Sequence, residues 1–326
     1  ALGKFSFDVG FTVGRLGATP VFDFKLSIPR MSAQNLINSL PAGFLGKLDG
    51  LEVGGQLQWN LSASLDSSDM STFNYKSEPK AWDFQVTDLG RHVDFSVVNK
   101  PFTHRVQEGG TVVNEWETGP GSRAFVRYSQ VSPWMEKVLT TTEDGNFWRH
   151  RGLAFFAIRG AFIDNLNRGR FYRGGSTITM QLVKNLFLIR EKTISRKIQE
   201  MFLAWQIEHF LTKRRIMELY LNIVELGPGI YGIRRAAKHY FGKKASELDL
   251  VECLFLASIL PNPRRQYRHF QRGRVSDGWR KGMAKMARIM LKREKISEAE
   301  YKAAVPFSPR FRTRKKKRKR ALEGNE

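Results

Sequence analysis

Two short stretches carry residue types that together suit an anion. In Gly174-Gly175-Ser176-Thr177-Ile178-Thr179-Met180-Gln181-Leu182-Val183-Lys184-Asn185, two glycines lead into hydroxyl residues and then into a helical pattern. A helix N-terminus offers free N–H groups and partial positive charge, so it favours a negative ligand. Glycine lets such a ligand come close to the backbone. Gln181, Lys184 and Asn185 fall at i, i+3 and i+4 on one face, with Leu182, Val183, Leu186 and Phe187 on the other. The same spacing also fits a capped amphipathic helix with a solvated face. In the second stretch, Arg196-Lys197-Ile198-Gln199-Glu200 opens a helix whose apolar residues include Met201, Ala204, Trp205 and Ile207. Glu200 can reach Arg196 and Lys197 at i−4 and i−3. Taken alone, that grouping reads as a surface ion pair worth a few tenths of a kcal/mol, and Glu208 with Lys213 reads the same way.

A third stretch, Thr142-Glu143-Asp144-Gly145-Asn146-Phe147-Trp148-Arg149-His150-Arg151-Gly152, sets two acids and a histidine among aromatics. A carboxylate beside apolar rings can have a raised pKa and serve as a general base or acid. Acids near loops are also common without such a role. Phe155 to Ile163 is apolar on nearly every side except Arg159, which reads as core. Joined to the arginine-rich Arg168-Gly169-Arg170-Phe171-Tyr172-Arg173, it also suits a lipid surface.

The elements that must position these residues change character along the chain. Residues 1–128 read as β-rich, with period-two alternation at Phe5–Val9, Val21–Leu26, Gly55–Leu65, Trp82–Val86 and Val93–Val97. A short helix is expected between Ser32 and Leu48. Residues 107–122, with Gly109-Gly110 and Gly119-Pro120-Gly121, read as a loop or linker. After Ser132 the period becomes helical, with Ser132 as N-cap and Pro133 at the first position. Further helices are expected near 152–166, 176–190, 194–211, 213–224, 232–241, 246–260 and 276–293. The expected partition is a β-rich domain at 1–128, a helical domain at 129–308 and a basic disordered tail at 309–326.

Charge supports a division. The 326 residues carry a net charge of +23. Residues 1–128 hold 12 Lys or Arg and 13 Asp or Glu, so the whole excess lies after Tyr128. Such a charge favours an anionic partner: nucleic acid, anionic lipid or a phosphorylated substrate. The single cysteine, Cys253, excludes an internal disulfide and any multi-cysteine metal site. No apolar run is long enough to span a bilayer and no signal peptide is visible. The chain opens at Ala1 inside a strand-like pattern, as a segment of a longer or processed protein would.

The order of the motifs resembles the peptidoglycan glycosyltransferases of glycosyltransferase family 51 over residues 131–305. Glu143-Asp144-x-x-Phe147-x-x-His150-x-Gly152 is similar to the first family motif, and Gly175-Ser176-Thr177-Ile178-Thr179-x-Gln181-Leu182-x-Lys184-Asn185 to the second. Arg196-Lys197-x-x-Glu200 with Ala204 and Glu208 is similar to the third. Lys213-x-x-Ile216-x-Glu218-x-Tyr220-Leu221-Asn222, the glycines 227, 229 and 232, and Ala236 to Lys243 are similar to the fourth. Glu252 to Pro263 is similar to the fifth. Gly227-Pro228-Gly229 and Leu260 to Arg265 stand nearest the monofunctional branch. Gly145 and Met180 depart from the pattern, where a charged or polar residue and a second glutamine are common.

The resemblance implies an α+β chain whose mostly α, lysozyme-like catalytic domain follows a smaller β-rich one. It implies joining of lipid II units through β-1,4 bonds with inversion, and release of undecaprenyl diphosphate. Glu143 is similar to the family base and Glu200 to its second carboxylate. Ser176, Thr177, Gln181, Lys184, Asn185, Lys192, Arg196 and Lys197 stand where the family holds substrate, while Asp144, Phe147 and His150 shape the first motif. A divalent metal, Mg or Mn, on the Glu200 side is the implied cofactor. The implied partners are lipid II, the growing glycan strand, an anionic membrane surface and other cell-wall synthesis proteins, with no nucleic acid. The implied location is the periplasmic face of a bacterial inner membrane. Residues 1–128 lie outside that domain and resemble the membrane-associated AsmA-like envelope proteins, with a spacer or docking domain as the alternative. Rival readings of the whole chain are an inactive envelope scaffold, a lipid-handling protein and a peptidoglycan-cleaving lytic enzyme.

Overall fold

The computed structural model describes residues 8–16, 19–170, 174–189, 191 and 193–312. It is mixed, with a β-rich N-terminal region followed by helices. The chain gathers into two compact units. One comprises the described residues up to Glu117 together with Asn146–Ile216; the other comprises Thr118–Gly145 and the described residues from Met217 onward. Both units draw on residues from either side of position 128.

In the first unit, β1 (Asp8–Leu16), β2 (Thr19–Ser32), β3 (Leu51–Asp66) and β4 (Asp69–Leu89) form an antiparallel sheet in sequence order. The alternation predicted over Val21–Leu26 and Gly55–Leu65 appears as the pairing of β2 with β3. Phe11, Phe24, Ala63 and Tyr75 lie in one cross-strand row, and Val13, Phe22 and Leu65 in another. The intervening row of Thr12, Asp23, Ser64 and Asn74 is polar, so the sheet has one apolar face. On β1 that face is exposed at Val9, Phe11 and Val13. Register shifts between Ile28 and Met31, across Pro29, which has no N–H to give the ladder. Pro79 is tolerated because β4 is an edge strand.

Between β2 and β3 lies α1 (Ala33–Asn38), whose N-cap Ser32 accepts from the Asn35 N–H. Two expectations are corrected here. Val93–Val97 is not a strand. Asp94 accepts from the Ser96 N–H at 2.7 Å and from its hydroxyl at 2.8 Å, and this local bonding turns Phe95–Asn99 into a 3-10 helix. Residues 107–122 are not simply a linker. Gly109 and Gly110, both at positive φ, close a hairpin between β5 (Phe102–Glu108) and β6 (Thr111–Thr118). Of the predicted strand Phe5–Val9, residues 5–7 lie outside the described residues, as do 313–326 of the basic tail and 171–173 of the arginine-rich loop.

The same unit holds α3 (Phe155–Asn167), α4 (Ile178–Phe187), α5 (Ile194–Phe210) and the first turn of α6 (Lys213–Ile223). Phe73 of β4 packs on Phe162 of α3 with centroids 4.5 Å apart, and Arg159 donates to the Phe73 carbonyl at 2.8 Å. Phe95 packs against Phe187 and Phe210. These contacts join the sheet region to the helices that carry the second and third motifs.

The second unit holds α2 (Pro133–Thr142), the rest of α6, and α7 (Ile233–Tyr240), α8 (Leu250–Ile259), α9 (Pro263–Gln266), α10 (Arg268–Gln271), α11 (Asp277–Lys292) and α12 (Glu298–Ala304). Ser132 precedes α2 and Pro133 opens it as predicted, but the Ser132 side chain makes no capping bond to the helix. Almost every residue of α8 is buried, and α2 and α11 pack against it. Among the described residues, no helix is long and apolar enough to cross a membrane.

Candidate functional site

In the first unit, α4 begins where the sequence places it. Gly175 meets the α3 backbone so closely that an added Cβ would lie 2.7 Å from the Ile158 Cα. Thr177 is the N-cap. Its hydroxyl accepts from the Met180 N–H at 3.1 Å and donates to the Gly152 carbonyl at 2.6 Å, and the residue is buried. Thr177 therefore builds the helix start and holds the end of the first motif. Met180 is wholly buried, so its departure from the family pattern is a packing feature. Gln181, Lys184 and Asn185 are half-buried along α4.

Ser176 points to α5. The Lys197 ammonium donates to the Ser176 hydroxyl at 2.7 Å and to Glu200 Oε1 at 2.7 Å. Arg196 donates to Glu200 Oε2 through Nη1. Arg196 Nε is buried and finds no hydrogen-bond partner among the described residues. Glu200 itself is buried, which corrects the surface ion-pair expectation. The result is a cluster of two cations and a hydroxyl organised around one carboxylate, with one buried guanidinium N–H that no described residue satisfies. Lys192 lies outside the described residues.

Two turns further along α5, Glu208 is also buried and also not a surface pair. Its Oε1 accepts from the Thr179 hydroxyl at 2.6 Å and from Lys213 Nζ at 2.6 Å, and His150 Nδ1 stands 4.0 Å away. Lys213 also donates to His150 Nδ1 at 3.4 Å and lies over the Phe147 ring, 4.6 Å from its centroid. Residues of four sequence motifs thus meet in one strut. Phe147 and His150 of the first motif are members of that strut.

Sequence reasoning missed the depth of both acids. The available signal was spacing: Glu200, Leu203, Ala204, Ile207 and Glu208 fall at i, i+3, i+4, i+7 and i+8, a buried stripe.

In the second unit, Glu143 ends α2. Its N–H donates to the Leu139 carbonyl at 2.9 Å, and its side chain is half-buried. Asp144 is buried beside it. Tyr220 of α6 lies near both carboxylates. Its phenol is fully buried, and burial together with these two acids holds its pKa well above the usual tyrosine value. Asn222 braces the preceding loop: its amide accepts from the Val126 N–H and donates to the Val126 carbonyl, each at 2.8 Å. Gly145 leaves space that an added Cβ would share with the flexible end of Arg293, 3.1 Å away.

A metal does not fit the described residues well. Both Glu200 oxygens are bonded to cations, and among the described residues no group of three or more His, Cys, Asp or Glu is placed to hold one. No chemical step is therefore routed through a metal.

Residues 109–290, more than half of the chain, match the transglycosylase family model, and the chain belongs to that family of peptidoglycan glycosyltransferases. It is 44% identical over 169 residues to a biosynthetic peptidoglycan transglycosylase of Nitrosomonas eutropha, covering 52% of this chain and 66% of that protein. Another from Methylobacillus flagellatus is 36% identical over 174 residues, covering 53% and 72%. A penicillin-binding protein 1A of Aquifex aeolicus is 47% identical over 152 residues, covering 47% of this chain and 21% of that protein. The match thus spans just under two thirds of the Nitrosomonas protein, and the β-rich residues before 109 fall outside the family match.

Proposed function

We propose that the helical region polymerises lipid II into β-1,4 glycan strands with inversion, as part of cell-wall synthesis. The observation that carries this reading is the Ser176, Lys197, Glu200 and Arg196 cluster, inside the matched family segment and holding an unused buried donor. A departing diphosphate needs cations and donors placed before it forms. Glu200 holds the two cations in position, and Lys184 with the α4 N-terminus adds further positive potential. In the second unit, Glu143 is the base. The acceptor C4 hydroxyl gives its proton to the Glu143 carboxylate as its oxygen bonds the donor C1. The C1–O bond to undecaprenyl diphosphate breaks, and the electron pair leaves with that diphosphate. Asp144, buried next to Glu143, positions it. The family's lysozyme-like architecture belongs to this proposal.

The working place is the periplasmic face of an inner membrane rich in anionic lipid, beside other cell-wall synthesis proteins. The exposed Phe155, Phe156 and Phe162 of α3 and the exposed apolar residues of β1 support a lipid-facing role for the first unit.

Polymerisation of labelled lipid II is the test. Glu143→Gln keeps size and shape but loses the basic oxygen, so turnover is expected to fall by ~10²–10⁴-fold, with thermal stability nearly unchanged. Normal polymerisation by that variant would place the base elsewhere. Shortening of preformed glycan in place of chain growth would make the protein a lytic enzyme.

A further inference from the structure

The cation cluster rests on the first two turns of α5, and those turns are held from outside the family match. Ser195 and Gln199 sit at i and i+4, next to Arg196 and Glu200, also at i and i+4. The Ser195 hydroxyl donates to the Phe44 carbonyl at 2.7 Å. The buried Gln199 amide donates to the same carbonyl at 3.1 Å and to the Ser195 hydroxyl at 3.1 Å, and it accepts from the Lys47 N–H at 3.3 Å. One face of the helix start thus belongs to the loop at residues 39–48, while the adjacent face carries the anion cluster.

The loop is itself stiff. Phe44 N–H donates to the Pro41 carbonyl, Gly46 to Gly43 and Leu48 to Leu45, so one tight turn follows another. Pro41 fixes its own φ. Gly46 has φ of 51°, and an added Cβ would lie 2.7 Å from the Gln199 amide nitrogen. A side chain here would push the amide end of Gln199 aside and would sit at a left-handed φ that glycine adopts without strain. A helix's first turn has orphan N–H groups and frays readily. The Thr193 hydroxyl caps this one, accepting from the Arg196 N–H at 3.1 Å, and the side chains of Ser195 and Gln199 tie the same turns to the loop.

We infer that the 39–48 loop of the β-rich region is a positioning element for the anion cluster, with Gln199 as the positioning residue that links them. Gln199 hydrogen-bonds to the loop and to Ser195 and to neither cation of the cluster; it acts by fixing the backbone from which Arg196, Lys197 and Glu200 project. The inference deepens the proposed function at one site, since the cluster is the diphosphate site in that reading.

The test perturbs the contact from both sides in the full chain. Gln199→Ala removes the amide, and Gly46→Ala crowds that amide from the loop side without changing the sequence of α5. Binding of inorganic diphosphate is measured by calorimetry, exchange of backbone amides over residues 194–201 by mass spectrometry, and KM and kcat with lipid II. Loss of two or three neutral hydrogen bonds predicts diphosphate binding weaker by roughly tenfold. Faster exchange in 194–201 and a matching rise in KM are expected, with kcat within about twofold of the parent. Gln199→Glu retains the acceptor for the Lys47 N–H but cannot donate to Phe44, so an intermediate effect is expected. Unchanged diphosphate affinity in Gln199→Ala would overturn the inference whatever happens to stability, and that variant decides the matter if Gly46→Ala does not fold. Wild-type protein that binds diphosphate yet fails to polymerise lipid II would sink the proposed function while leaving the positioning element standing.

Discussion

Glu200 and Glu208 lie two turns apart on α5, are both buried, and are both paired with cations, yet the two ends of the helix are built for different purposes. At the Glu208 end every partner is enclosed: the side chains of Glu208, His150 and Lys213 are 2%, 8% and 17% exposed. The Thr179 hydroxyl completes the carboxylate, and Lys213 is shared with a ring and an imidazole. At the Glu200 end the pairing is open. Lys197 is 39% exposed and Arg196 keeps a buried donor without a partner among the described residues. A closed ion pair holds a fold in register. One that keeps spare donors and solvent access holds cations ready for a third group. Burial of an acid does not tell these apart; the saturation of its partners does.

The strongest way to break this comparison is Glu208→Ala. Removing one member of a buried pair leaves the other charged and unsolvated, which costs about 3–5 kcal/mol. Thermal or denaturant unfolding should show this loss, and activity should fall only as the folded fraction falls. Lys197→Ala should behave the other way. Its ammonium is partly solvated, so stability should change little. Loss of a charge-assisted bond of about 1.5–3 kcal/mol to the leaving diphosphate should lower the use of lipid-linked donor by roughly 10–150-fold. If Lys197→Ala unfolds the protein while Glu208→Ala spares it, the assignment of strut and site is reversed. Lys184→Ala sharpens the same contrast. Alanine is a good helix former, so α4 should persist, and donor use should fall less than for Lys197→Ala.

Part of this was legible in the chain and part was not. The starts of α4 and α5 were legible to within two residues of Thr177 and Thr193, because hydroxyls before an apolar-periodic run satisfy orphan N–H groups wherever the helix lies. The alternation in β2 and β3 gave their pairing faces, whereas of β1 only Asp8 and Val9 fall in the predicted strand. The extent of β4 was not legible: only Trp82–Val86 alternates clearly, and the strand runs back through Pro79, which is accommodated at an edge. Gly109-Gly110 looked like a linker because two glycines mark a tight hairpin turn as well as a flexible joint. Glu200 and Glu208 looked superficial because each has a cation within helical or near-sequence reach, which is the pattern of a solvated surface pair. Their deep partners, Ser176, Thr179 and His150, are too distant in sequence for periodicity to reveal. The hold of Phe44 and Lys47 on Gln199 crosses some 150 residues and has no local signature at all.

The smallest expected effect separates two adjacent hydroxyls. Ser176 accepts from Lys197 and belongs to the open end, whereas Thr177 caps α4 and bonds Gly152. Ser176→Ala removes one half-buried bond, worth about 0.5–1.5 kcal/mol. The ammonium it leaves is still held by Glu200, so KM for the lipid-linked donor should rise a few-fold with unfolding unchanged. Thr177→Ala removes a cap, which costs about 1 kcal/mol of stability, and also strands the Gly152 carbonyl. Thr177→Ser keeps the oxygen and should restore most of that loss. Steady-state kinetics and denaturant titration on the three variants resolve the two roles. A larger KM change from Thr177→Ala than from Ser176→Ala, at equal folded fraction, would show that the cap rather than the neighbouring hydroxyl sets the geometry of the anion site.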